Sequence, residues 1–164
     1  LINAAGLWAN QISSMLGIDK LKIHYYKGEY YKTNRYKNIK CLIYPLPSEV
    51  SLGIHAAIQL NGDVFFGPNA YSVDEINYHI DDSHKNSFLN EIKKYMDIKS
   101  DDIWPDFCRI RPKLQAKGMP FEDFYINNEL TYGAKNFINL LGIDSPGLTS
   151  SLSIAEYVES IIIS

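Results

Sequence analysis

The sequence predicts an α+β fold in which most strands pair in antiparallel fashion. Several short runs alternate apolar and polar residues at the strand period of two, and two of them flank a tight-turn sequence at 61–63. Only a few runs have helical spacing, and the last of these follows a short apolar strand near the end of the chain. Hairpin strands with few helices are typical of α+β proteins, and 164 residues suffice for one domain with a core.

The first part of the chain predicts one helix and two strand regions. Residues 1–16 indicate a strand end, a small-residue turn and a helix, with Gly17 as the helix cap. Alternation over 21–33 predicts either a strand pair or one bulged strand. Residues 42–44 predict another strand, which the prolines of 45–47 end.

The middle of the chain predicts a hairpin followed by a helix. Residues 52–60 and 64–66 flank Asn61-Gly62-Asp63, whose composition favours a tight turn between antiparallel strands. Four apolar residues at helical spacing predict a helix over roughly 84–96. Alternation also predicts strands around 108–110 and 124–126.

The last strand and the last helix are joined by a glycine-containing turn. Residues 137–141 have strand length, and Ser145-Pro146 has the composition of a helix N-cap and first helical position. The apolar face of that helix would be Leu148, Leu152, Ala155, Val158 and Ile162. The N–H groups of Gly147, Leu148 and Thr149 would then be free donors, and Gly147 would let a flat ligand approach. Such a site suits an anion or an electron-rich carbonyl, whereas the alternative is an ordinary capped terminal helix.

Composition and motifs exclude several classes of function. The net charge of −3 and the pI of about 5.8 offer no basic surface for nucleic acid or an anionic membrane. No apolar run is long enough to cross a membrane, and the four histidines form no metal-binding motif, so no metal site is predicted. Cys41 and Cys108 lie far apart, which indicates reduced, buried thiols of a cytoplasmic protein. The chain does not begin with Met, so we expect a piece of a longer protein.

Two predicted strands contain candidates for binding a carboxylate and for accepting a hydroxyl proton. Arg109 and Arg111 alternate with Ile110 in a predicted strand, so they share a face, and a guanidinium is suited to clamping a carboxylate. The alternative is a solvated or salt-bridged surface strand. His55 lies in mid-strand, where its imidazole could accept a hydroxyl proton, although it could equally be a structural histidine. The segment Lys27-Gly28-Glu29-Tyr30-Tyr31 could line a pocket or form a bulge.

Eight motifs occur in an order that resembles one known family. They are Asn3-Ala4-Ala5-Gly6-Leu7-Trp8-Ala9, Lys27-Gly28-Glu29-Tyr30, Ile43-Tyr44-Pro45-Leu46-Pro47, Leu52-Gly53-Ile54-His55, Phe66-Gly67-Pro68-Asn69-Ala70, Ile110-Arg111-Pro112-Lys113, Asp123-Phe124 and Gly142-Ile143-Asp144-Ser145-Pro146-Gly147-Leu148-Thr149. Over nearly the whole chain they are similar to the C-terminal portion of FAD-dependent oxidoreductases of the D-amino-acid-oxidase superfamily. Within that superfamily, the chain most resembles the branch that contains L-2-hydroxyglutarate dehydrogenase/oxidase.

The resemblance implies a divided domain organisation. Residues 1–17 and 137–164 would be the terminal strand–helix pieces of a Rossmann-type FAD-binding domain, and 18–136 would be the antiparallel substrate-binding domain. The GxGxxG segment with which the family binds the FAD phosphates is absent from these 164 residues. FAD binding would therefore need the N-terminal segment of the same protein as a partner, and this fragment alone is expected to be inactive.

The resemblance also implies roles for individual residues. His55 would take the hydroxyl proton of a small 2-hydroxy acid such as L-2-hydroxyglutarate, while the hydride passes to flavin N5. The substrate contacts would be Arg111, Lys27, Tyr44 and Lys113. The contacts with the phosphate and ribose region of FAD would be Asn3, Ala4, Ala5, Gly6 and Trp8, and those near the flavin ring would be Gly142, Ser145, Pro146, Gly147, Leu148 and Thr149.

Two further points bear on the substrate and on the class of function. Arg109 stands where the family usually has the glycine before Ile-Arg-Pro, and its long side chain could crowd the pocket or change which acid fits. Residues 71–82 match no part of the family pattern. The alternative from another class is a non-catalytic domain that binds a small carboxylate or a partner protein and has lost its flavin site.

Overall fold

The computed structural model describes residues 1–46 and 53–163. The end of the 43–47 motif and the start of the predicted 52–60 strand lie outside these described residues. The chain forms two compact units: the first contains Leu1–Tyr26, Ser72–Glu75 and Arg111–Ser164, and the second contains Lys27–Tyr71 and Ile76–Ile110. The first unit includes both segments predicted to belong to an FAD-binding domain, 1–17 and 137–164, and that domain assignment stays a prediction.

Helices and strands are mixed along the described chain, and the predicted α+β class is confirmed. The strands are β1 (Ile2–Asn3), β2 (His24–Thr33), β3 (His55–Ile58), β4 (Val64–Gly67), β5 (Tyr71–Val73), β6 (Trp104–Lys113), β7 (Tyr125–Asn128) and β8 (Ile138–Leu141). The α-helices are α1 (Ala9–Ser14), α2 (Lys85–Ile92) and α3 (Ser151–Ile163). Short 3-10 helices lie at Gly6–Trp8, Asp82–His84, Ser100–Asp102 and Leu130–Tyr132.

The first unit contains a three-stranded sheet in the order β1-β8-β7. The short strand β1 runs parallel to β8, with Ile2 opposite Ile138 and Asn3 opposite Asn139. β7 lies antiparallel on the other side of β8. The carboxyl ends of β1 and β8 therefore reach the same edge of the sheet.

A buried polar network holds the two-residue strand β1 in place. The Asn3 side-chain amide donates to the Ala9 carbonyl at 2.7 Å and to Asn139 Oδ1 at 2.8 Å. Ser13 Oγ also donates to Asn139 Oδ1, and the Asn139 amide donates to Glu129 Oε1 at 2.8 Å. Since these side chains are almost completely buried, each hydrogen bond replaces one lost to water, and the network fixes the register of β1 against β8 and α1.

The second sheet has the strand order β3-β4-β2-β5, and β6 also pairs with β2. β3 and β4 form the predicted hairpin, with His55 opposite Gly67 and Ile58 opposite Val64. β4 continues the antiparallel pairing onto β2, where Phe66 lies opposite Tyr31. The Asn61-Gly62-Asp63 turn was the local signal for this hairpin, and the prediction is confirmed.

The core of the second unit lies where α2 covers one side of the sheet. Phe88 and Ile92 on α2 are completely buried, as are Tyr31 and Phe66 on the strands, and the Tyr31 and Phe88 rings are 4.5 Å apart. The Tyr31 hydroxyl stays satisfied because it donates to the Asp81 carbonyl at 3.0 Å. Burial, followed by nearby carboxylates, raises the pKa of Tyr31 to about 12.

Of the two alternatives for residues 21–33, the structure has a single strand, from His24 to Thr33, and not a strand pair. Two other local predictions need correction. The 42–44 region contributes only an isolated bridge between Ile43 and Ala56. The thiols are also less buried than predicted, because Cys41 is exposed and Cys108 is partly exposed.

The predicted N-terminus of the last helix is wrong by five residues, since Pro146 was expected as its first residue and Ser151 is found there. α3 begins at Ser151, and 145–150 form successive turns in which the Gly147 N–H donates to the Asp144 carbonyl and the Ser150 N–H to the Pro146 carbonyl. Ser145 is therefore not the N-cap of α3, and Pro146 is not its first helical residue. Of the predicted apolar face, Val158 is buried, while Leu148 and Leu152 are exposed.

Candidate active site

The two segments predicted to contact FAD follow the ends of the two parallel strands in the first unit. Residues 4–6 follow β1 directly, and residues 142–149 follow β8. Because β1 and β8 are parallel neighbours, both segments leave the same sheet edge. Crevices at the carboxyl ends of parallel strands are the usual ligand sites of α/β sheets.

Within the 3–8 segment, backbone and side chains have different surroundings. The Asn3 side chain is committed to the buried network, and its Oδ1 accepts the Ala5 N–H at 3.3 Å. Ala4 is exposed, Trp8 is half-exposed, and among the described residues no atom beyond the chain neighbours of Gly6 lies within 4 Å of the position that a Cβ on Gly6 would occupy. The backbone of Ala4 to Gly6 is thus open to a ligand, whereas the Asn3 side chain has a structural task.

The 142–149 turn shows that Gly147 has a different role from the one predicted. A Cβ on Gly147 would meet Ile143 Cγ2 at 2.5 Å and the Asp144 carbonyl oxygen at 2.7 Å. Glycine is required there by packing inside the turn, not by the approach of a flat ligand. The Gly147 N–H is already bonded, while the N–H groups of Leu148 and Thr149 have no acceptor among residues 1–46 and 53–163. Two of the three predicted donors therefore remain available.

His55 points to the side of the second sheet opposite the core. Directly opposed residues of antiparallel strands point to the same side, and Ala56 is opposite the core residue Phe66. His55 and Phe65 therefore point to the other side, here called the His55 face. The Tyr44 ring stacks on the His55 ring with centroids 4.6 Å apart and an interplanar angle of 19°.

An aromatic group with one arginine lies on the His55 face. Tyr30 stacks on Phe107 with ring centroids 4.4 Å apart, and Phe65 meets Tyr30 edge-on at 5.6 Å. The Arg109 guanidinium carbon lies 5.7 Å from the Tyr30 ring centroid and 5.3 Å from that of Phe107. Sequence reasoning included Tyr30 in a segment that could line a pocket but missed Phe65 and Phe107, although alternation in β6 places Phe107 on the same side as Arg109.

Arg111 and Lys113 differ in their contacts with other charged and polar groups of the protein. Arg111 is half-buried and makes no hydrogen bond or ion pair with any described residue, and Ile110 beside it is buried, as alternation predicts. The Lys113 ammonium lies 3.3 Å from the Asp144 carboxylate and 5.9 Å from the Phe121 ring centroid. Lys113 is thus occupied by the turn before α3, while the Arg111 guanidinium is available for a ligand.

A cluster around buried Glu29 lies on the core side of the second sheet. Glu29 Oε1 accepts the Tyr71 hydroxyl at 2.6 Å and lies 3.8 Å from the Lys27 ammonium. Glu29 Oε2 accepts the Asn69 amide at 3.1 Å and contacts His84 Nδ1 at 2.7 Å. The pKa of Tyr71 is raised by burial and by its hydrogen bond to Glu29.

The Glu29 cluster explains where Lys27, a predicted substrate contact, is placed. Lys27 is buried and also donates to the His79 carbonyl, so its ammonium is held between protein groups. Cys108 donates to the Tyr78 carbonyl at 3.3 Å, and burial raises the pKa of its thiol. Side chains alternate along a strand, so Lys27 and Glu29 point to the same side of β2 as the core residue Tyr31. This alternation could have shown from the sequence that they do not lie on the His55 face.

Two absences within the described residues bear on metals and membranes. No group of three or more His, Cys, Asp or Glu side chains within 1–46 and 53–163 could hold a metal ion. None of the helices that the structure describes has both the length and the apolar character needed to cross a bilayer.

Comparison with known proteins identifies the family. The sequence model of the FAD-dependent oxidoreductase family, DAO, matches residues 1–161. The chain belongs to this family. Among its relatives, the mitochondrial L-2-hydroxyglutarate dehydrogenase of Arabidopsis thaliana is 36% identical, over 96% of this chain and 36% of that protein. The glycerol 3-phosphate dehydrogenase of Caloramator mitchellensis is 28% identical, over 99% of this chain and 33% of that protein.

The fold has a counterpart among solved structures. Dithionite-reduced L-α-glycerophosphate oxidase from Mycoplasma pneumoniae, with FAD bound, superposes with a TM-score of 0.75 at 23% sequence identity. The match covers 96% of this chain and 41% of that chain. The chain thus spans about a third of the length of the two curated relatives above, and the activity of the intact protein is a matter for proposal.

Proposed function

We propose that this chain is the C-terminal part of an FAD-dependent oxidoreductase that oxidises a small 2-hydroxy acid to the 2-oxo acid. The observation that carries the proposal is the shared sheet edge of the first unit, where open backbone after β1 and unbonded N–H groups after β8 meet the needs of a dinucleotide cofactor. L-2-hydroxyglutarate is the preferred substrate candidate, because the relative of that activity is 36% identical over 96% of the chain. Free thiols, with Cys41 exposed, support a reducing compartment such as the cytoplasm.

The residues of this chain would bind and deprotonate the substrate. FAD, when bound, supplies the acceptor for the substrate α-hydride. Arg111 would clamp the carboxylate through two parallel N–H···O bonds, and His55 would accept the hydroxyl proton, oriented by the stacked Tyr44 ring. Backbone N–H groups of Leu148 and Thr149 would donate to an electron-rich cofactor edge. We leave Lys27 and Lys113 out of the substrate contacts, because Glu29 and Asp144 already occupy their ammonium groups.

A second candidate substrate is glycerol 3-phosphate. The observation in its favour is that one relative of 28% identity is named for it and that the structural counterpart is an L-α-glycerophosphate oxidase. A base would accept the proton of its secondary hydroxyl, and a guanidinium would bind its single anionic group, as for the 2-hydroxy acid. The two substrates differ in the anion that Arg111 would bind, which is a carboxylate in the 2-hydroxy acid and a phosphate in glycerol 3-phosphate.

The proposed function is tested by anaerobic reduction of the full-length protein. We expect a yellow preparation whose flavin absorbance bleaches with L-2-hydroxyglutarate and not with its D-enantiomer. Bleaching by glycerol 3-phosphate alone would select the second candidate. A full-length protein that carries no flavin and still binds 2-hydroxy acids would support the non-catalytic alternative.

A separate prediction concerns an apolar groove beside α3. The groove has a volume of about 490 Å³ and is lined mainly by aliphatic side chains, including Ile2, Leu140, Ile154 and Val158. We propose that the N-terminal FAD-binding segment of the same protein covers this groove, since exposed apolar patches of this kind mark interfaces. Residues 1–164 alone are then expected to purify colourless and to take up FAD only when that segment is added.

Two α3 variants check which surface is responsible. Val158→Asp places a charge in the groove and is expected to prevent FAD uptake by the mixture, whereas Leu152→Asp alters an exposed position outside the lining and serves as the control. Flavin absorbance after gel filtration is the measurement. Stoichiometric FAD bound to residues 1–164 alone would contradict the prediction.

Arg111 provides a prediction about substrate binding. Arg111→Lys in the full-length enzyme keeps the charge but removes the planar fork, so it is expected to weaken substrate binding by roughly 1.5–3 kcal/mol. The dissociation constant from stopped-flow flavin reduction is the measurement. Arg35→Lys is the matched control, because Arg35 is engaged by Asp102 through bonds of 2.7 Å. Unchanged kinetics with several 2-hydroxy acids would assign Arg111 to structure instead.

A further inference from the structure

A small polar pocket lies within the first unit and contains none of the residues predicted to contact cofactor or substrate. It has a volume of about 200 Å³ and is bounded by the start of α1, by the residues that lead into β2 and by the end of β5, the neighbour of β2 in its sheet. None of its lining residues belongs to the eight motifs that carry the family resemblance. The proposed oxidation therefore assigns no role to this pocket.

The polar side chains of the pocket are not used by the part of the protein that the structure describes. The Tyr25 hydroxyl donates to the Leu7 carbonyl at 3.3 Å, but no other polar side chain of the lining forms a hydrogen bond or ion pair with a described residue. These unbonded groups are two amides, a hydroxyl, an imidazole, an ammonium and a carboxylate, which belong to Asn10, Gln11, Ser72, His24, Lys22 and Asp74. Since polar groups that leave water need new partners, a pocket lined in this way suits a polar ligand.

The two charged groups indicate the charge of that ligand. Lys22 and Asp74 line the same pocket, but the ammonium and the carboxylate lie more than 4.0 Å apart and form no ion pair. A phosphate or a dicarboxylate would add negative charge beside Asp74, and a polyamine would add positive charge beside Lys22. A molecule with one carboxylate and one ammonium can make a charge-assisted hydrogen bond with each of the two residues.

We propose that this pocket binds a free α-amino acid, with the ligand carboxylate on Lys22 and the ligand ammonium on Asp74. The volume equals that of about seven water molecules at about 30 Å³ each, which is room for a small amino acid. Sites for drug-sized ligands are larger, at roughly 300–1,000 Å³. The amides of Asn10 and Gln11 can donate to the carboxylate, and Ser72 can accept from the ammonium. This site is additional to the proposed oxidation and does not depend on it.

The charge requirement is tested with three small probes and the full-length protein. L-alanine has both charged groups, propionate lacks the ammonium, and ethylamine lacks the carboxylate. We expect L-alanine to bind, and each of the other two to bind about 10- to 100-fold more weakly, the range for a lost charge-assisted hydrogen bond. Saturation-transfer NMR gives the dissociation constants. Equal affinity for the three probes, or no binding of L-alanine, would overturn the proposal.

Pocket variants show whether L-alanine binds at these residues. Lys22→Gln and Asp74→Asn are each expected to weaken L-alanine binding about 10- to 100-fold. Lys20→Gln and Glu75→Gln are the matched controls, because both residues are exposed and lie outside the lining, and they should leave the dissociation constant unchanged. Unchanged binding in both pocket variants would overturn the assignment of the site.

Two further variants complete the experiment. Ser72→Ala is expected to weaken L-alanine binding several-fold, and it decides the matter if a charge variant does not fold. Arg111→Lys alters the proposed substrate contact and should leave L-alanine binding unchanged. Binding that is lost in Arg111→Lys and kept in the pocket variants would place L-alanine at the substrate site and so contradict the proposal.

Discussion

Replacing His55 by glutamine in the full-length protein is expected to slow flavin reduction by about 10²–10⁴-fold while leaving FAD bound. This is the contribution typical of a general base, and it is lost because an amide cannot accept the hydroxyl proton. A histidine must be neutral to act as a base, so the wild-type rate should fall at acidic pH and the variant should lack that limb. Anaerobic stopped-flow reduction measures this step apart from reoxidation.

The control for this prediction is a histidine elsewhere in the same unit. His79→Gln changes an exposed side chain and leaves in place the His79 carbonyl that Lys27 uses, so its rate and pH profile should match the wild type. If His55→Gln instead reduces its flavin at the wild-type rate with the same pH limb, His55 is a structural histidine. Tyr44, which stacks on it, would then be the next candidate base.

Replacing Glu29 by alanine is expected to lower the free energy of unfolding by about 3–5 kcal/mol. The reason is that Lys27, almost completely buried, would keep its charge without a counterion, and breaking a buried ion pair from one side has a cost of this size. Tyr71 and His84 would lose their acceptor at the same time. Urea unfolding of the full-length protein, followed by circular dichroism, is the measurement.

A second substitution separates the charge from the lost packing. Lys27→Met combined with Glu29→Gln removes both charges with little change of volume, and it should recover most of the stability lost in Glu29→Ala. Glu91→Ala breaks an exposed pair with Lys94 on α2 and should change stability by less than about 1 kcal/mol. Equal losses in Glu29→Ala and in the double variant would show that the Lys27 charge is not the cause.

Local signals predicted the elements whose formation depends on neighbouring residues. The β3–β4 hairpin follows from Asn61-Gly62-Asp63, and α2 follows from its buried Phe88 and Ile92, which are spaced one turn apart. The start of α3 was wrong because Ser145-Pro146 has the same composition in a tight turn as at a helix N-terminus. The hydrogen bond between Gly147 and Asp144 decides for the turn, and it depends on packing against Ile143.

The candidate site could be predicted only in part, because its parts meet through long-range pairing. Alternation placed Arg109 and Arg111 on one side of β6, but it could not reveal that the Arg109 guanidinium carbon would lie 5.7 Å from the Tyr30 ring centroid. Strand position likewise singled out His55, while its stacking on Tyr44 required the bridge between Ile43 and Ala56. The role of Glu29 could not be predicted, since its hydrogen-bond partners Asn69, Tyr71 and His84 lie 40 to 55 residues further along the chain.

The pairing of β1 with β8 also has a consequence for the order of folding. Asn3 and Asn139 are 136 residues apart, whereas the β3–β4 hairpin joins residues only a few positions apart. The entropy of closing a loop grows as the logarithm of its length, which makes the β1–β8 closure less favourable by about 3 kcal/mol from an unfolded chain. The hairpin and its helix α2 can therefore form early, and their formation shortens the effective loop. The sheet edge at which we propose that the cofactor binds is then expected to be among the last parts of the protein to take shape.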